Sequence, residues 1–135
     1  MADFQNKLLK DILIEKVSLT KATYLEVQPF WEKLKVDNVF DSKKIIIDLS
    51  ICTFVDSTFK GIIVKAFRKI KDNEGEMKLV LPPLEASNSF KLSGITQLIE
   101  SFEDLESAIE SYNVTIPTKN FKLNFANENF ESFYT

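Results

Sequence analysis

The stretch KIIIDLSICTFVDSTFKGIIVKAFRKIK, residues 44–71, decides the fold of this chain. Its first part holds three consecutive isoleucines, Ile45 to Ile47, a run typical of a central strand that is buried on both faces. From Phe59 onward, apolar residues recur at spacings of three and four, which predicts an amphipathic helix over residues 57–71. A buried strand followed by such a helix is the unit from which parallel sheets are built.

The rest of the chain repeats this alternation. Strands are predicted over residues 12–17, 44–49, 77–81 and 97–101, and helices over residues 21–34, 57–71, 84–92 and 103–112. Pro29 lacks a backbone donor, so we expect the first helix to kink or to start late. Gly75 is predicted to supply a left-handed turn after the second helix. This order favours a single α/β domain over residues 1–112, in which about four helices cover one side of a mixed, mostly parallel sheet.

Residues 113–135 differ in composition and form a predicted C-terminal extension. Phe121, Leu123 and Phe125 alternate with polar residues, which favours a strand at a sheet edge. Five aromatic residues stand among the last fifteen, and their large apolar side chains are not expected to remain in water. The tail therefore either packs on its own domain or docks on a partner, and a second copy of the chain as partner would give a homodimer.

The composition excludes several functional classes. The net charge is -3 and basic residues are interleaved with acids, so no nucleic-acid surface is expected. The chain has no histidine, which removes Ser-His-Asp and Cys-His catalysis and histidine metal sites. We expect no cofactor and no metal. The single cysteine, Cys52, lies in an apolar run and is predicted to be a buried, unreactive thiol.

Neither a targeting segment nor an enzyme motif is visible. Residues 1–7 lack the pattern of a signal peptide, and no apolar run approaches the roughly 20 residues of a membrane span. A cytoplasmic location without membrane insertion is therefore expected. The chain has no glycine-rich phosphate loop and no nucleophile–base pair, so we expect a binding protein and not an enzyme.

Several segments, taken in order, resemble a STAS domain, the fold of bacterial anti-sigma factor antagonists. Residues 44–50 resemble the family's central strand. The next segment, Phe54-Val55-Asp56-Ser57-Thr58, is similar to its signature of a hydrophobic residue, Asp, Ser and Ser or Thr. Residues 61–64 and 75–80 resemble the following helix and strand, and residues 90–95, FKLSGI, resemble the F-x-x-(S/T)-G-(L/I) element. Residues 102–109 resemble the closing helix, and the similarity covers about residues 11–110.

This resemblance implies a phosphorylation site. In the family, a partner anti-sigma Ser/Thr kinase phosphorylates the serine after the acid; the unphosphorylated form binds that kinase and so releases the sigma factor. By position this serine is Ser57, beside Asp56, and Thr58 is a second candidate. A helix N-terminus accommodates a phosphate of roughly -1.5 to -2 charges, which beside Asp56 would repel an acidic partner surface. The simpler interpretation, that Asp56 or Ser57 caps the helix, is compatible with this role.

Three positions depart from the family pattern. Phe59 and Lys60 stand where the family has Gly and an apolar residue, often Leu, on the surface offered to the kinase. Thr20 stands where the family often has an Asp near the phosphorylation site. The resemblance thus implies a partner-binding surface with altered chemistry, formed by Thr20, Asp56, Ser57, Thr58, Phe59 and Lys60.

Two binding functions remain open. The first is an anti-sigma factor antagonist-like protein, switched by phosphorylation of Ser57. The second is a non-switching STAS module, either a scaffold as in stressosomes or a cytoplasmic accessory subunit of a lipid-transport ATPase. The departures at Phe59 and Lys60 and the aromatic tail favour the second function. Either function requires a protein partner.

Overall fold

A five-stranded sheet forms the centre of the computed structural model, which describes residues 2–113. The strands are β1 (Phe4–Leu9), β2 (Ile12–Val17), β3 (Lys21–Ala22), β4 (Lys44–Asp48), β5 (Phe54–Val55), β6 (Glu76–Val80) and β7 (Ser101–Phe102). The helices are α1 (Val27–Val36), α2 (Ser57–Asp72), α3 (Leu84–Leu92), α4 (Ile95–Leu98) and α5 (Leu105–Glu110). Short 3₁₀ turns cover Tyr24–Glu26 and Val39–Asp41.

The large sheet has the strand order β1-β2-β4-β6-β7. Strand β1 is antiparallel to β2, and all the other pairs are parallel, which confirms the predicted mixed, mostly parallel sheet. Strand β4 lies in the middle. Ile45 and Ile47 point into one core and Ile46 into the other, and each is at most 1% exposed. Burial on both faces is the physical reason for the isoleucine run.

The two faces of the sheet are covered unequally. Helices α1 to α4 all contribute to the larger core on one face, here called the front face, in agreement with the expectation of about four helices on one side. The set differs from the predicted one, because α4 was not predicted and the helix predicted over residues 103–112 corresponds to α5. Helix α5 lies on the opposite face, here called the back face. There it packs on Ile12, Ile14, Ile46 and Val80. Within residues 2–113, no helix has the length and apolar character needed to cross a membrane.

The sequence prediction missed or misplaced several elements. Strand β1 was not predicted, because its residues FQNKLL have weak alternation and gain their place by pairing with β2. Helix α1 starts at Val27, so Pro29 lies in its first turn, where a missing donor costs little; the expected late start is confirmed. Residues 95–98 are helical, and β7 begins only at Ser101, so the strand over residues 97–101 is wrong. The predicted strand in the tail lies outside the described residues.

Gly75 has a different role from the one predicted. The left-handed residue after α2 is Glu74, with φ of 66°, and Gly75 itself is not left-handed. Gly75 is buried, and a Cβ there would lie 2.7 Å from the Ser42 carbonyl oxygen and 2.9 Å from Cγ2 of Ile70. The residue must therefore be glycine because two segments of chain approach it closely.

A pair of carboxyl groups lies beneath α1, on the front face. Glu15 of β2 is fully buried, and burial, then the neighbouring Asp37, raise its pKa to about 10. Among residues 2–113, neither carboxyl oxygen of Glu15 has a hydrogen-bond donor, which favours the neutral acid, whose O–H can donate to Asp37. Partial burial raises the pKa of Asp37, but hydrogen bonds from Glu15, Asn6 and Lys33 outweigh it and lower the pKa overall. The Lys33 Nζ lies 2.6 Å from Oδ2 of Asp37.

Candidate partner-binding site

Asp56 holds together the two segments that form the site. As N-cap of α2, it accepts a hydrogen bond at Oδ1 from the backbone N–H of Phe59, at 2.8 Å. Its second oxygen, Oδ2, accepts from the backbone N–H of Tyr24, also at 2.8 Å. The backbone N–H of Asp56 donates to the Ala22 carbonyl at 3.0 Å, beside the short parallel pair of β3 and β5. Asp56 therefore both caps α2 and fixes the loop before α1 against it.

Ser57 and Thr58 are exposed in the first turn of α2. Because Asp56 makes the cap, the hydroxyl of Ser57 is not required for it. Thr20 is also exposed, and its carbonyl accepts from the backbone N–H groups of Thr53 at 2.7 Å and Phe54 at 3.2 Å. The structure thus brings the segments of Thr20, Asp56, Ser57 and Thr58 to one end of the domain, at the N-terminus of α2.

Phe59 does not belong to this surface, which corrects the prediction. Its side chain is fully buried in the larger core, where its ring centroid lies 5.0 Å from that of Phe30. Position 59 is the first member of the apolar stripe of α2, and that stripe faces the sheet. The ring therefore contributes to stability and is not offered to a partner.

Lys60 is half-buried and is occupied within the domain. Its ammonium group donates to the hydroxyl of Ser89 in α3 and lies 5.3 Å from the ring centroid of Phe90. A cation over an aromatic ring is stabilising. Lys60 therefore links α2 to α3, and only part of its side chain faces the exterior.

Sequence reasoning missed three exposed apolar residues beside Asp56. Tyr24, Leu25 and Phe54, here called the apolar rim, have exposed fractions of 65%, 67% and 50%. The sequence predicts one helix over residues 21–34, but Tyr24 and Leu25 lie in the 3₁₀ turn before α1. A capping box marks this turn: the Thr23 N–H donates to Glu26 Oε1 at 2.8 Å, and the Leu25 N–H donates to Thr23 Oγ1 at 3.2 Å. The spacing of Thr23 and Glu26 could have revealed it.

The chemistry of the site is that of a binding surface. Cys52 is fully buried, as predicted, and burial, then the charge of Asp48, raise its pKa to about 12, so the thiol is not a nucleophile at neutral pH. Among residues 2–113, no group of three or more acidic or cysteine side chains is placed to hold a metal ion. Exposed aromatic and aliphatic side chains around a hydroxyl are typical of a protein-docking patch.

Comparison with known proteins agrees with the fold. The sequence matches the STAS domain family over residues 2–108, which is most of the chain. The chain therefore belongs to the STAS domain family. No curated protein matches it significantly.

Three solved structures illustrate the likeness. An anti-sigma factor antagonist from Mycobacterium paratuberculosis is 15% identical, with a TM-score of 0.72, over 82% of this chain and 93% of that one. The anti-sigma factor antagonist SpoIIAA in its unphosphorylated form is 18% identical, with a TM-score of 0.67, over 84% and 98% of the two chains. The phosphorylated form of SpoIIAA, a Bacillus cell fate determinant, is 18% identical, with a TM-score of 0.61, over 81% of this chain and 98% of that one. At these identities the likeness concerns the fold.

Proposed function

We propose that this chain is an anti-sigma factor antagonist-like binding protein, switched by phosphorylation of Ser57 by a partner Ser/Thr kinase. The observation that carries the proposal is the exposed serine at the start of α2, beside the Asp56 cap and the apolar rim. The similarity in fold to SpoIIAA supports this proposal, since solved structures of SpoIIAA exist in unphosphorylated and phosphorylated forms. The protein acts by docking on its partner, in the cytoplasm, as a binding protein.

The position of Ser57 explains how a phosphate could act as a switch. The Asp56 carboxylate already accepts hydrogen bonds from the backbone N–H groups of Phe59 and Tyr24, so a phosphate on Ser57 would lie beside a second anion. The phosphate would add roughly -1.5 to -2 charges next to the Asp56 carboxylate without disturbing the fold. A partner that docks on the apolar rim would meet two adjacent anions where it had met a hydroxyl and one anion. An uncompensated charge buried in an interface costs affinity.

Thr58 is the second candidate for modification. It is exposed and adjacent to Ser57 in the same turn. Alanine variants distinguish the two positions, because the phosphate is lost only when the residue that carries it is replaced.

The non-switching alternative loses part of its support. Its support came from the aromatic tail and from Phe59 and Lys60 as altered contact residues, but Phe59 lies in the core and Lys60 bonds to α3. A scaffold or a subunit of a lipid-transport ATPase would still use the apolar rim for docking. It would bind its partner equally well whatever the charge at residue 57.

The test begins with the phosphate itself. The protein is purified from its native cells under several growth conditions, and intact-mass analysis and peptide mapping locate any phosphate. We expect a single phosphate on the peptide that contains Ser57, absent in Ser57→Ala and retained in Thr58→Ala.

Binding is then measured with the protein that co-purifies with the wild-type chain. Ser57→Asp is compared with Ser57→Asn, which has nearly the same size and no charge. We expect Ser57→Asp to weaken binding by about tenfold or more and Ser57→Asn to weaken it less. A chain without phosphate under every condition, together with equal binding by both variants, would contradict the switch and favour the scaffold.

A further inference from the structure

The outward side of α2 carries charge of one sign. Its inward side is the apolar stripe that packs on the sheet, and four exposed cations lie on the remaining surface, here called the basic ridge: Lys65, Arg68, Lys69 and Lys71. Residues 57–71 hold five of the 17 basic residues of the chain, and all 20 acidic residues lie outside this stretch. The helix therefore presents a positive surface on a chain whose net charge is -3.

The helices α1 and α2 differ in how their basic residues are neutralised. In α1, the Lys33 Nζ lies 2.6 Å from Oδ2 of Asp37. The Lys35 Nζ lies 3.3 Å from Oε2 of Glu32. None of the four ridge cations forms a salt bridge within residues 2–113. Since like charges three or four positions apart repel each other on a helix, the ridge destabilises α2, and no acid of the described domain offsets this repulsion.

Two of the ridge cations are oriented by aromatic rings. The Lys65 Nζ lies 4.8 Å from the ring centroid of Trp31, and the Lys69 Nζ lies 5.4 Å from that of Phe40. A ring carries no net charge, so both ammonium groups can still attract an anion. Arg68 stands between them in sequence, and a guanidinium group suits the two oxygens of a carboxylate. The ridge is thus a partly preorganised site for carboxylates.

Gly61 opens this surface to close approach. It is exposed, about one turn after Ser57 and about one turn before Lys65, so all three lie on the same side of α2. A Cβ at residue 61 would meet nothing within 4 Å, so the packing of the described domain does not require glycine there. Glycine inside a helix is also less favourable than alanine. Its bare backbone lets another chain contact α2 between Ser57 and the basic ridge.

We propose that an acidic surface of the protein partner docks along α2, from Ser57 across Gly61 to the basic ridge. This inference rests on the proposed function, because it assigns the chemistry of the partner that meets Ser57. Charge complementarity identifies the occupant, since carboxylates offset the repulsion among the ridge cations. Ser57 lies about 12 Å from Lys65 along the helix axis, so a phosphate on Ser57 would stand at the edge of the same acidic surface and repel it.

The extent of the ridge favours a protein over a nucleic acid. From Lys65 to Lys71 the helix rises by about 9 Å, and Asp56 and Asp72 stand at the two ends of α2. Duplex DNA presents a charge about every 1.7 Å along its axis. A phosphate backbone laid along α2 would therefore extend beyond the ridge and meet a carboxylate at each end.

Charge reversal in the full-length chain tests the proposal against the protein that co-purifies with it. Arg68→Glu is compared with Lys10→Glu, which makes the same change of charge at an exposed position between β1 and β2. Both are made in the Ser57→Ala background, which carries no phosphate at residue 57, so a failure of the switch leaves this result unaffected. We expect Arg68→Glu to weaken binding about tenfold or more, and Lys10→Glu to weaken it less than about twofold.

Three measurements separate the charge effect from a folding defect. Urea unfolding should show that Arg68→Glu is at least as stable as its parent, because repulsion within α2 is reduced. The affinity of the parent should fall as salt rises from about 0.05 to about 0.2 M, and that of Arg68→Glu should change less. A partner variant in which the facing carboxylate is replaced by lysine should restore the binding of Arg68→Glu.

A probe of defined chemistry supplies a test without the native partner. Amide NMR signals of the full-length chain are followed during addition of poly-glutamate, and separately of duplex DNA. We expect poly-glutamate to shift the signals of Gly61, Lys65 and Arg68 more than those of the other described elements.

Four results would overturn the proposal. Arg68→Glu and Lys10→Glu could lose affinity equally, or the affinity of the parent could be independent of salt. Poly-glutamate could shift signals elsewhere and leave α2 unchanged. Duplex DNA could bind more tightly than poly-glutamate, which would identify a nucleic-acid surface. The chain could self-associate through Arg68, which would identify a second copy as the occupant.

Discussion

Replacing Glu15 by Gln should make the protein more stable at neutral pH, and increasingly so as the pH rises. The ordinary pKa of this glutamate is 4.5, and in the folded state it is raised to about 10 by burial and by Asp37. Between these values the folded state holds a proton that the unfolded state has released. Stability therefore falls as pH rises through this window, and it no longer changes once the pH exceeds the folded pKa.

The magnitude follows from the size of the window. Each pH unit within it lowers the free energy of unfolding by about 1.4 kcal/mol, so the interval from 4.5 to pH 7 amounts to about 3 kcal/mol. Glutamine has the same shape, carries no proton to lose, and can donate an amide N–H to Asp37. The variant should thus match the wild type near pH 4.5 and exceed its stability by up to about 3 kcal/mol at pH 7.

Urea unfolding from pH 5 to 9, followed by the fluorescence of the single tryptophan, Trp31, measures this difference. Subtracting the two stability curves cancels the titration of other groups, including Asp48, whose pKa is raised by burial. Glu85→Gln, at an exposed position of α3, is the matched control and should follow the wild type. Parallel curves for the wild type and Glu15→Gln would refute the inference that Glu15 is neutral in the folded protein.

Three further substitutions test the local structure. Phe59→Ala should lower the free energy of unfolding by about 3–5 kcal/mol, because the ring packs in the core against Phe30. A loss below about 1 kcal/mol would contradict the burial of this ring. Asp56→Ala should cost about 1–2 kcal/mol in urea unfolding, whereas Ser57→Ala should cost less than about 0.5 kcal/mol, since only Asp56 makes the cap; equal losses would contradict this assignment. Gly75→Ala should lower the free energy of unfolding by about 1–3 kcal/mol, and with it the melting temperature, because the added Cβ would meet a backbone carbonyl. An unchanged melting temperature would show that the chain relaxes there.

Most of the correct predictions came from residues 44–71. Both the strand and the helix were predicted to within a residue or two, because the isoleucine run and the apolar stripe of α2 are strong local patterns. The cap and the exposed serine followed from the residue types at the start of α2, since Asp and Ser favour such positions. The resemblance to STAS domains came from the same segment.

The errors arose where local patterns are weak or where neighbours decide. Strand β1 and the short pair β3 and β5 exist because other strands present hydrogen-bonding groups to them. Tyr24 and Leu25 look like core residues by composition, yet the Thr23 capping box places them before α1 and in solvent. Phe59 was placed on the partner-binding surface by comparison with the family pattern, although the apolar stripe of its own helix favours an inward-facing side chain.

The sequence by itself determined the alternation of strands and helices, the central place of β4, and the family. These properties depend on hydrophobic periodicity, which is local. The tertiary structure decided which side chains reach the partner-binding site and which ionisable and aromatic side chains are buried. Glu15 and Asp37 lie on different elements and meet only because α1 ends above β2, and the same packing turns Phe59 inward and leaves Ser57 exposed. Such properties depend on contacts between distant segments, which no local pattern encodes.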